Sequence, residues 1–271
     1  MAETKGTASP VGGQAPRIRV GTSGWAYDEW QGPFYPPHLP TSQRLPFYRE
    51  YFATVEVNAT FYRMPAENTL DKWREQAGEG FPMAIKGSRQ ITHNLRLRDC
   101  ETAVKRLFER LERLGPALGP MLWQLPPDLE RDDELLAEFT SILPARHKHA
   151  FEFRHESWLD DAVLAALDAR GMATVAVSSL DMPAAKPITG GLLYLRMHGL
   201  KNGTKHNYTK EELKPWITWA HDAAEQGTTG FVFFSNDGDA RAPANALEFI
   251  RQLGPLSVWS GLEEDGTVPK A

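Results

Sequence analysis

The sequence has one cysteine, Cys100, among its 271 residues. One thiol cannot build a disulfide framework or a zinc site made of several cysteines. No apolar run approaches the roughly 20 residues that a membrane-spanning helix needs. Positive charge is not in excess, since 30 Lys and Arg stand against 35 Asp and Glu, a formal net charge of −5. That balance gives no support to non-specific nucleic-acid or membrane-surface binding, although a local basic pocket remains compatible with it. No G-x-G-x-x-G follows the first apolar run, so the sequence carries no nucleotide-cofactor motif. The H-E-x-x-H spacing of a helix-borne metal site is missing, and no segment repeats at a fixed period.

What is present fits one folded domain. Hydrophobic residues make up 41% and charged residues 24% of the chain, which places it in the globular class. A (β/α)8 barrel typically needs about 250 residues, so a single one uses nearly the whole chain. Residues 1–16, MAETKGTASPVGGQAP, lack the apolar core of a signal peptide and predict a disordered leader. Residues 17–262 are the expected domain, and 263–271 a flexible tail. A cytoplasmic location is the default expectation.

Short apolar runs alternate with amphipathic stretches, the pattern of βαβ units around a parallel sheet. Eight runs are candidate strands: 18–22, 54–58, 82–86, 120–125, 149–154, 173–177, 192–198 and 230–235. Helices are predicted at 42–52, 68–76, 101–114, 132–142, 159–169, 210–225 and 245–253. The sixth crossover, 180–190, is short and rich in Pro and Gly, and no full helix is expected there. Spacing of this kind also suits a doubly wound sheet, so strand counting alone does not select the barrel.

Alternation along the strands does more. Side chains alternate between the two faces of a strand, and in a barrel one face meets the helices while the other points inward. Glu56 and Asn58 oppose Val55 and Val57. Lys86 opposes Met83 and Ile85, and Gln124 opposes Trp123 and Leu125. Glu152 and Arg154 oppose Phe151 and Phe153. Tyr194, Arg196 and His198 oppose Leu193, Leu195 and Met197, and Asn236 is read as opposing Phe233 and Ser235. The polar set lies toward the C-terminal strand ends, where TIM-barrel active sites assemble. Burying this many charges for stability alone is unfavourable, because desolvation costs several kcal/mol per ion.

The stretches Val20-Gly21-Thr22-Ser23-Gly24-Trp25, Val55-Glu56-Val57-Asn58-Ala59-Thr60-Phe61-Tyr62, Gln124-Leu125-Pro126-Pro127, Glu152-Phe153-Arg154-His155 with Ser157-Trp158, Arg196-Met197-His198-Gly199, and Phe234 to Asp237 with Asn245-Ala246 resemble the DUF72, or YecE-like, family. The resemblance runs from about Arg17 to Leu253. It implies a single-domain TIM barrel and supplies no reaction. Ser235 departs from the family pattern, which tends to have Asn before Asn236.

The residues themselves suggest an enzyme using acid/base chemistry on a small polar, anionic substrate such as a sugar or sugar phosphate. Hydrolase, isomerase and lyase all remain open. Glu56, Glu152 and His198 are the candidate catalytic groups. Glu56 and Glu152 sit on strands far apart around the barrel, a spacing that suits a water-using, inverting geometry. The structural alternative is that Glu152 pairs with Arg154 or Arg196. Asn58, Lys86, Gln124, Arg154, Arg196 and Asn236 are candidate substrate contacts, with Trp25, Tyr62 and Trp158 as stacking surfaces. Lys86 could also act as a base or form a Schiff base. His93, His155 and His206 lie in loops within reach of the same mouth. The loop 199–208 could be a mobile lid. Glu56, Glu152 and His198 also form a donor set for a divalent metal. A small molecule is the expected partner, not nucleic acid or a membrane. The functional alternatives are a non-catalytic metabolite sensor and a nucleic-acid-processing enzyme.

Overall fold

Each of the eight apolar runs forms a strand of one parallel sheet in the computed structural model, which describes residues 18–258. The strands are β1 (Ile18–Thr22), β2 (Val55–Val57), β3 (Met83–Lys86), β4 (Leu118–Gln124), β5 (His149–Glu152), β6 (Ala173–Ser178), β7 (Leu192–Met197) and β8 (Thr229–Phe234). The helices are α1 (Thr41–Tyr48), α2 (Ala59–Tyr62), α3 (Glu67–Ala77), α4 (Glu101–Leu111), α5 (Asp133–Ser141), α6 (Asp161–Asp168), α7 (Lys210–Glu225) and α8 (Arg241–Leu253). Neighbours run β1-β8-β7-β6-β5-β4-β3-β2. The two ends meet just beyond β1, where Ser23 bridges Glu56 and the Gly24 N–H donates to the Glu56 carbonyl at 2.8 Å. The result is a (β/α)8 TIM barrel. The expected leader and tail, residues 1–16 and 263–271, lie outside the described residues.

Local chemistry sets the helix limits. On α4, Val104, Leu107, Phe108 and Leu111 recur at helical spacing and are all buried. The helix stops at Leu111, short of the expected residue 114, because tighter turns carry the chain through Gly115, whose φ is +52°, and Pro116. A capping box starts α7: Thr209 Oγ1 accepts from the Glu212 N–H at 3.2 Å, and Glu212 accepts from the Thr209 N–H at 2.9 Å. The short α2 is not anticipated by periodicity, being a single turn after β2. No helix spans the sixth crossover, as its composition predicts. That omission leaves an apolar cleft of about 300 Å³ lined by Phe153, Leu164, Val175 and Met182 among others.

Two seams divide the barrel. At the first, Gly21 passes so close to β2 that an added Cβ would lie 2.1 Å from the Thr54 carbonyl oxygen. The space admits Tyr48, whose hydroxyl accepts from the Thr22 N–H at 2.8 Å and donates to the Thr54 carbonyl at 3.2 Å. At the second, β5 and β6 pair only through Ala150 with Ala173 and Phe151 with Thr174. Among the described residues, no helix is long and apolar enough to cross a membrane.

Candidate functional site

The two faces of the sheet differ as alternation requires. Val55, Val57, Ile85, Trp123, Phe151, Phe153, Leu193 and Leu195 pack in the core that includes the helices. Ala84, Leu122, Ala150, Val175, Tyr194 and Phe233 form a separate apolar cluster inside the barrel. One inward assignment needs correction. Phe233 belongs to the interior cluster, so Ser235 shares its face and Asn236 does not. Asn236 is buried and donates to the His206 carbonyl at 2.7 Å and to Asn245 Oδ1 at 2.8 Å. It holds the loop after β7 instead of reaching the pocket.

Next to the apolar interior lies an ionic layer built around Arg196. Its guanidinium donates to both Glu56 oxygens, from Nη2 to Oε1 at 2.7 Å and from Nε to Oε2 at 3.0 Å. Nη1 donates to Glu152 Oε2 at 2.5 Å. Glu56 also accepts from the Tyr194 hydroxyl at 2.8 Å and from Ser23 Oγ at 2.7 Å, and Ser23 exchanges a hydrogen bond with Ser235 at 2.8 Å. The three ionic side chains are at most 2% exposed. They come from β2, β5 and β7, and the pairs are too far apart in sequence for any local motif to reveal them. Separation around the barrel does not leave open space between Glu56 and Glu152, because one guanidinium bonds to both. The structural alternative for Glu152 is met twice over, since Arg154 also pairs with it.

Burial alone would raise the Glu152 pKa, but Arg196, Arg154 and His198 hold it well below the ordinary carboxylate range. Burial works against the Arg196 charge, yet Glu152 and Glu56 make the guanidinium hold its proton more tightly than usual. Burial and the Glu56 carboxylate keep the Tyr194 phenol protonated. Glu152 lies 3.3 Å from His198, but Glu56, Glu152 and His198 do not bring their ligand atoms together closely enough to form a metal set among the described residues. Their facing atoms are engaged by guanidinium N–H groups, which supply the positive charge a metal would bring.

The next groups touch solvent. The Arg154 and His198 side chains are 18% and 17% exposed. Arg154 Nη2 lies 2.9 Å and Arg196 Nη1 3.2 Å from His198 Nε2. Guanidinium N–H groups only donate, so Nε2 accepts from them when the imidazole carries its proton on Nδ1, whereas a proton on Nε2 would be directed to Glu152 Oε1 at 3.3 Å. Burial and Arg196 push the His198 pKa down, against the pull of Glu152. Lys86, at the end of β3, has no hydrogen bond to Nζ within the described residues, and its ammonium lies 4.1 Å from the centre of the Phe61 ring. Burial, Arg196 and Arg154 outweigh Glu152 and Glu56 and push its pKa down to about 8. His93 packs edge-on against the same Phe61 ring at 5.0 Å. Gln124 pairs in register with Glu152, and its side-chain amide forms no hydrogen bond within the described residues. Asn58 follows β2, and its Oδ1 is buried without a partner.

The aromatic expectations fare differently. Trp158 is fully buried, stacks on Phe153 at 4.8 Å and donates to the Leu129 carbonyl at 2.7 Å. Trp25 packs edge-on against Trp73 of α3 at 5.2 Å. Both are packing residues, because their partners lie on the helix side of the sheet. Tyr62 is 76% exposed beside Phe61 and free to meet a ligand. His155 bonds to Ser157, and His206 to Glu212, so neither joins the ionic layer. The loop after β7 is pinned: the Tyr208 hydroxyl accepts from the Gly199 N–H at 2.9 Å and donates to Ser178 Oγ at 3.0 Å. Ser23, Tyr194 and Ser235 are site residues that the candidate set lacked. Strand alternation from Gly21 and from Phe233 would have found the two serines.

The family model described as a protein of unknown function, DUF72, matches residues 19–265. The chain is 28% identical over 176 residues to the UPF0759 protein YecE of Escherichia coli K12. That match covers 63% of this chain and 62% of YecE, so it spans less than two thirds of that relative. The UPF0759 protein YunF of Bacillus subtilis is 22% identical over 269 residues, covering 87% of this chain and 94% of YunF. A crystal structure of a DUF72 family protein from Thermotoga maritima superposes with a TM-score of 0.78 at 27% identity, covering 86% of this chain and 97% of that one. With the family model spanning the barrel from β1 to past β8, this chain belongs to the DUF72 family.

Proposed function

We propose that this chain is an enzyme that moves a proton on a small polar substrate carrying an anionic group, bound at the C-terminal mouth of the barrel. The observation that carries this reading is an arc of polar groups with open valences on consecutive strands. Asn58 Oδ1, Lys86 Nζ and the Gln124 amide lack hydrogen bonds within the described residues. A buried polar atom left unpaired costs about 1–3 kcal/mol, which falls on Asn58 Oδ1, while the half-buried Lys86 and Gln124 beside it keep their polar ends available to a ligand. Two carboxylates, Glu56 and Glu152, face three cations, Arg154, Arg196 and Lys86. With Lys86 protonated the site carries a surplus positive charge that favours an anion, and with Lys86 neutral the partly exposed Arg154 is the group left to meet one.

In this reading Arg154 holds the anionic group, while Asn58 and Gln124 bind a hydroxyl or carbonyl. Lys86, with a pKa near 8, is the proton-transfer base. Glu56 and Glu152 act as positioning residues that fix Arg196 and Arg154. A glycosidase mechanism is disfavoured, because Arg196 bonds to both carboxylates where the scissile bond and water would have to sit. Isomerase or lyase chemistry fits better than hydrolysis.

Calorimetric titration with sugar phosphates and small hydroxy and oxo acids tests the reading. At least one should bind to the wild type and lose about tenfold or more in affinity to Arg154→Ala, as expected for one charge-assisted contact. NMR in deuterated water should then show exchange at a carbon-bound proton of that ligand. Equal binding to both proteins, or no binding across the panel, overturns the proposal.

A further inference from the structure

We infer that Lys86 is a nucleophile that forms an imine with a carbonyl substrate whose carboxylate or phosphate is held by Arg154. This rests on the anion pocket of the reading above, replaces the role of Lys86 as a general base with that of a nucleophile, and names the substrate class: an aldehyde, ketone or 2-oxo acid bearing an anion.

The geometry distinguishes Lys86 from a lysine placed only to bind charge. Such a lysine gains from a carboxylate partner, yet Glu56 and Glu152 are hydrogen-bonded to arginines. Lys86 Nζ instead faces the Phe61 ring and makes no hydrogen bond within the described residues, so a deprotonated amine has its lone pair free. Burial of the side chain, with the cations Arg196 and Arg154, favours that neutral amine and outweighs Glu152 and Glu56, which favour the ammonium. Its backbone is also fixed. The Lys86 carbonyl accepts from Thr60 Oγ1 at 2.7 Å, and the Gly87 N–H donates to the Leu122 carbonyl at 2.8 Å. Gly87 itself is pressed on Trp123, where a Cβ would come within 2.5 Å of the indole. The nitrogen is thus delivered from a rigid strand end.

The step balances without an external reagent. The amine nitrogen attacks the carbonyl carbon, and one amine hydrogen passes to the carbonyl oxygen to give a carbinolamine. The unpartnered Asn58 Oδ1 offers an acceptor for that new hydroxyl. The second amine hydrogen leaves with the hydroxyl as water, and the carbon–nitrogen double bond forms. Protonation of the imine then gives the electron sink that isomerase or lyase chemistry needs.

Borohydride trapping tests this. The full chain is incubated with pyruvate in one arm and dihydroxyacetone phosphate in the other, reduced, digested and mapped by mass. The expected result is a reduced adduct concentrated on Lys86 in at least one arm, which also tells a carboxylate from a phosphate. Lys86→Arg and Lys86→Met, checked for folding by thermal melting, should lose that adduct. Arg154→Ala should weaken labelling of Lys86 about tenfold or more. No adduct, or adducts spread over surface lysines without enrichment at Lys86, overturns the inference. If a probe binds calorimetrically but is not trapped, the imine fails and the anion pocket stands. If neither probe binds nor is trapped, and no other anion binds, both fall.

Discussion

Two polar populations share the interior of this barrel and differ in how fully they are bonded. In the layer of Ser23, Glu56, Glu152, Tyr194, Arg196 and Ser235, each residue meets another of the set. In the arc of Asn58, Lys86 and Gln124, polar atoms face no partner within the described residues. Charge content would rank the first group as the reactive one, since it contains both carboxylates. Bonding ranks them the other way. A carboxylate held by a guanidinium is a poor proton carrier, whereas a half-buried amine without a hydrogen-bond partner among the described residues is the better candidate for chemistry. Arg154 and His198 stand between the two, bonded to the layer on one side and open to solvent on the other.

The sharpest way to break this comparison is to remove Arg196. Arg196→Met leaves two fully buried carboxylates without their common partner, and should destabilise the fold by about 3–5 kcal/mol in denaturant titrations. A loss below about 1 kcal/mol would mean that the layer is not the closed unit described.

Lys86→Met should do the opposite near neutral pH. Folding brings the Lys86 pKa from an ordinary 10.5 to about 8. Below pH 8 both states carry the proton, and the folded state bears the full penalty. Between pH 8 and about 10 the folded chain releases it while the unfolded chain keeps it, so wild-type stability rises with pH. The rise should reach roughly 3 kcal/mol at most, from 1.36 kcal/mol per pKa unit. In Lys86→Met that rise should vanish, which paired denaturation curves at pH 7 and pH 10 would show.

Ser235→Ala removes only the hydrogen bond to Ser23 and should cost about 1 kcal/mol by thermal unfolding. The smallest change in stability belongs to Arg154→Ala, within about 1 kcal/mol, because Glu152 keeps Arg196. A large loss of stability there would move Arg154 from its place between the two groups into the closed layer.

The barrel was legible because each strand keeps its alternation up to its polar residue, as on β2, β5 and β7. The same rule failed on β8 for two identifiable reasons. It took Phe233 as helix-facing because it is aromatic, whereas this barrel fills its interior with Phe233 and Tyr194. It also carried the alternation on to Asn236, although β8 ends at Phe234. Trp25 lies in a loop and Trp158 in a single 3-10 turn, too short for periodicity to say which way a ring turns, and both face the helices. The union of Glu56 with Arg196 joins β2 to β7, and spacing along a sequence holds no trace of such a pair. The depressed Lys86 pKa was equally hidden, since it arises from burial and from arginines on other strands.

The seams give the ionic layer a mechanical meaning. The weak junctions between β1 and β2 and between β5 and β6 split the ring into two four-stranded shells. Glu56 and Glu152 belong to one shell and Arg196 to the other. Each carboxylate stands on a strand that borders a seam, so a single guanidinium acts as the keystone of both joints. Removing either carboxylate would slacken the whole arch, so the shape of the mouth above it depends on a charge buried at the joints.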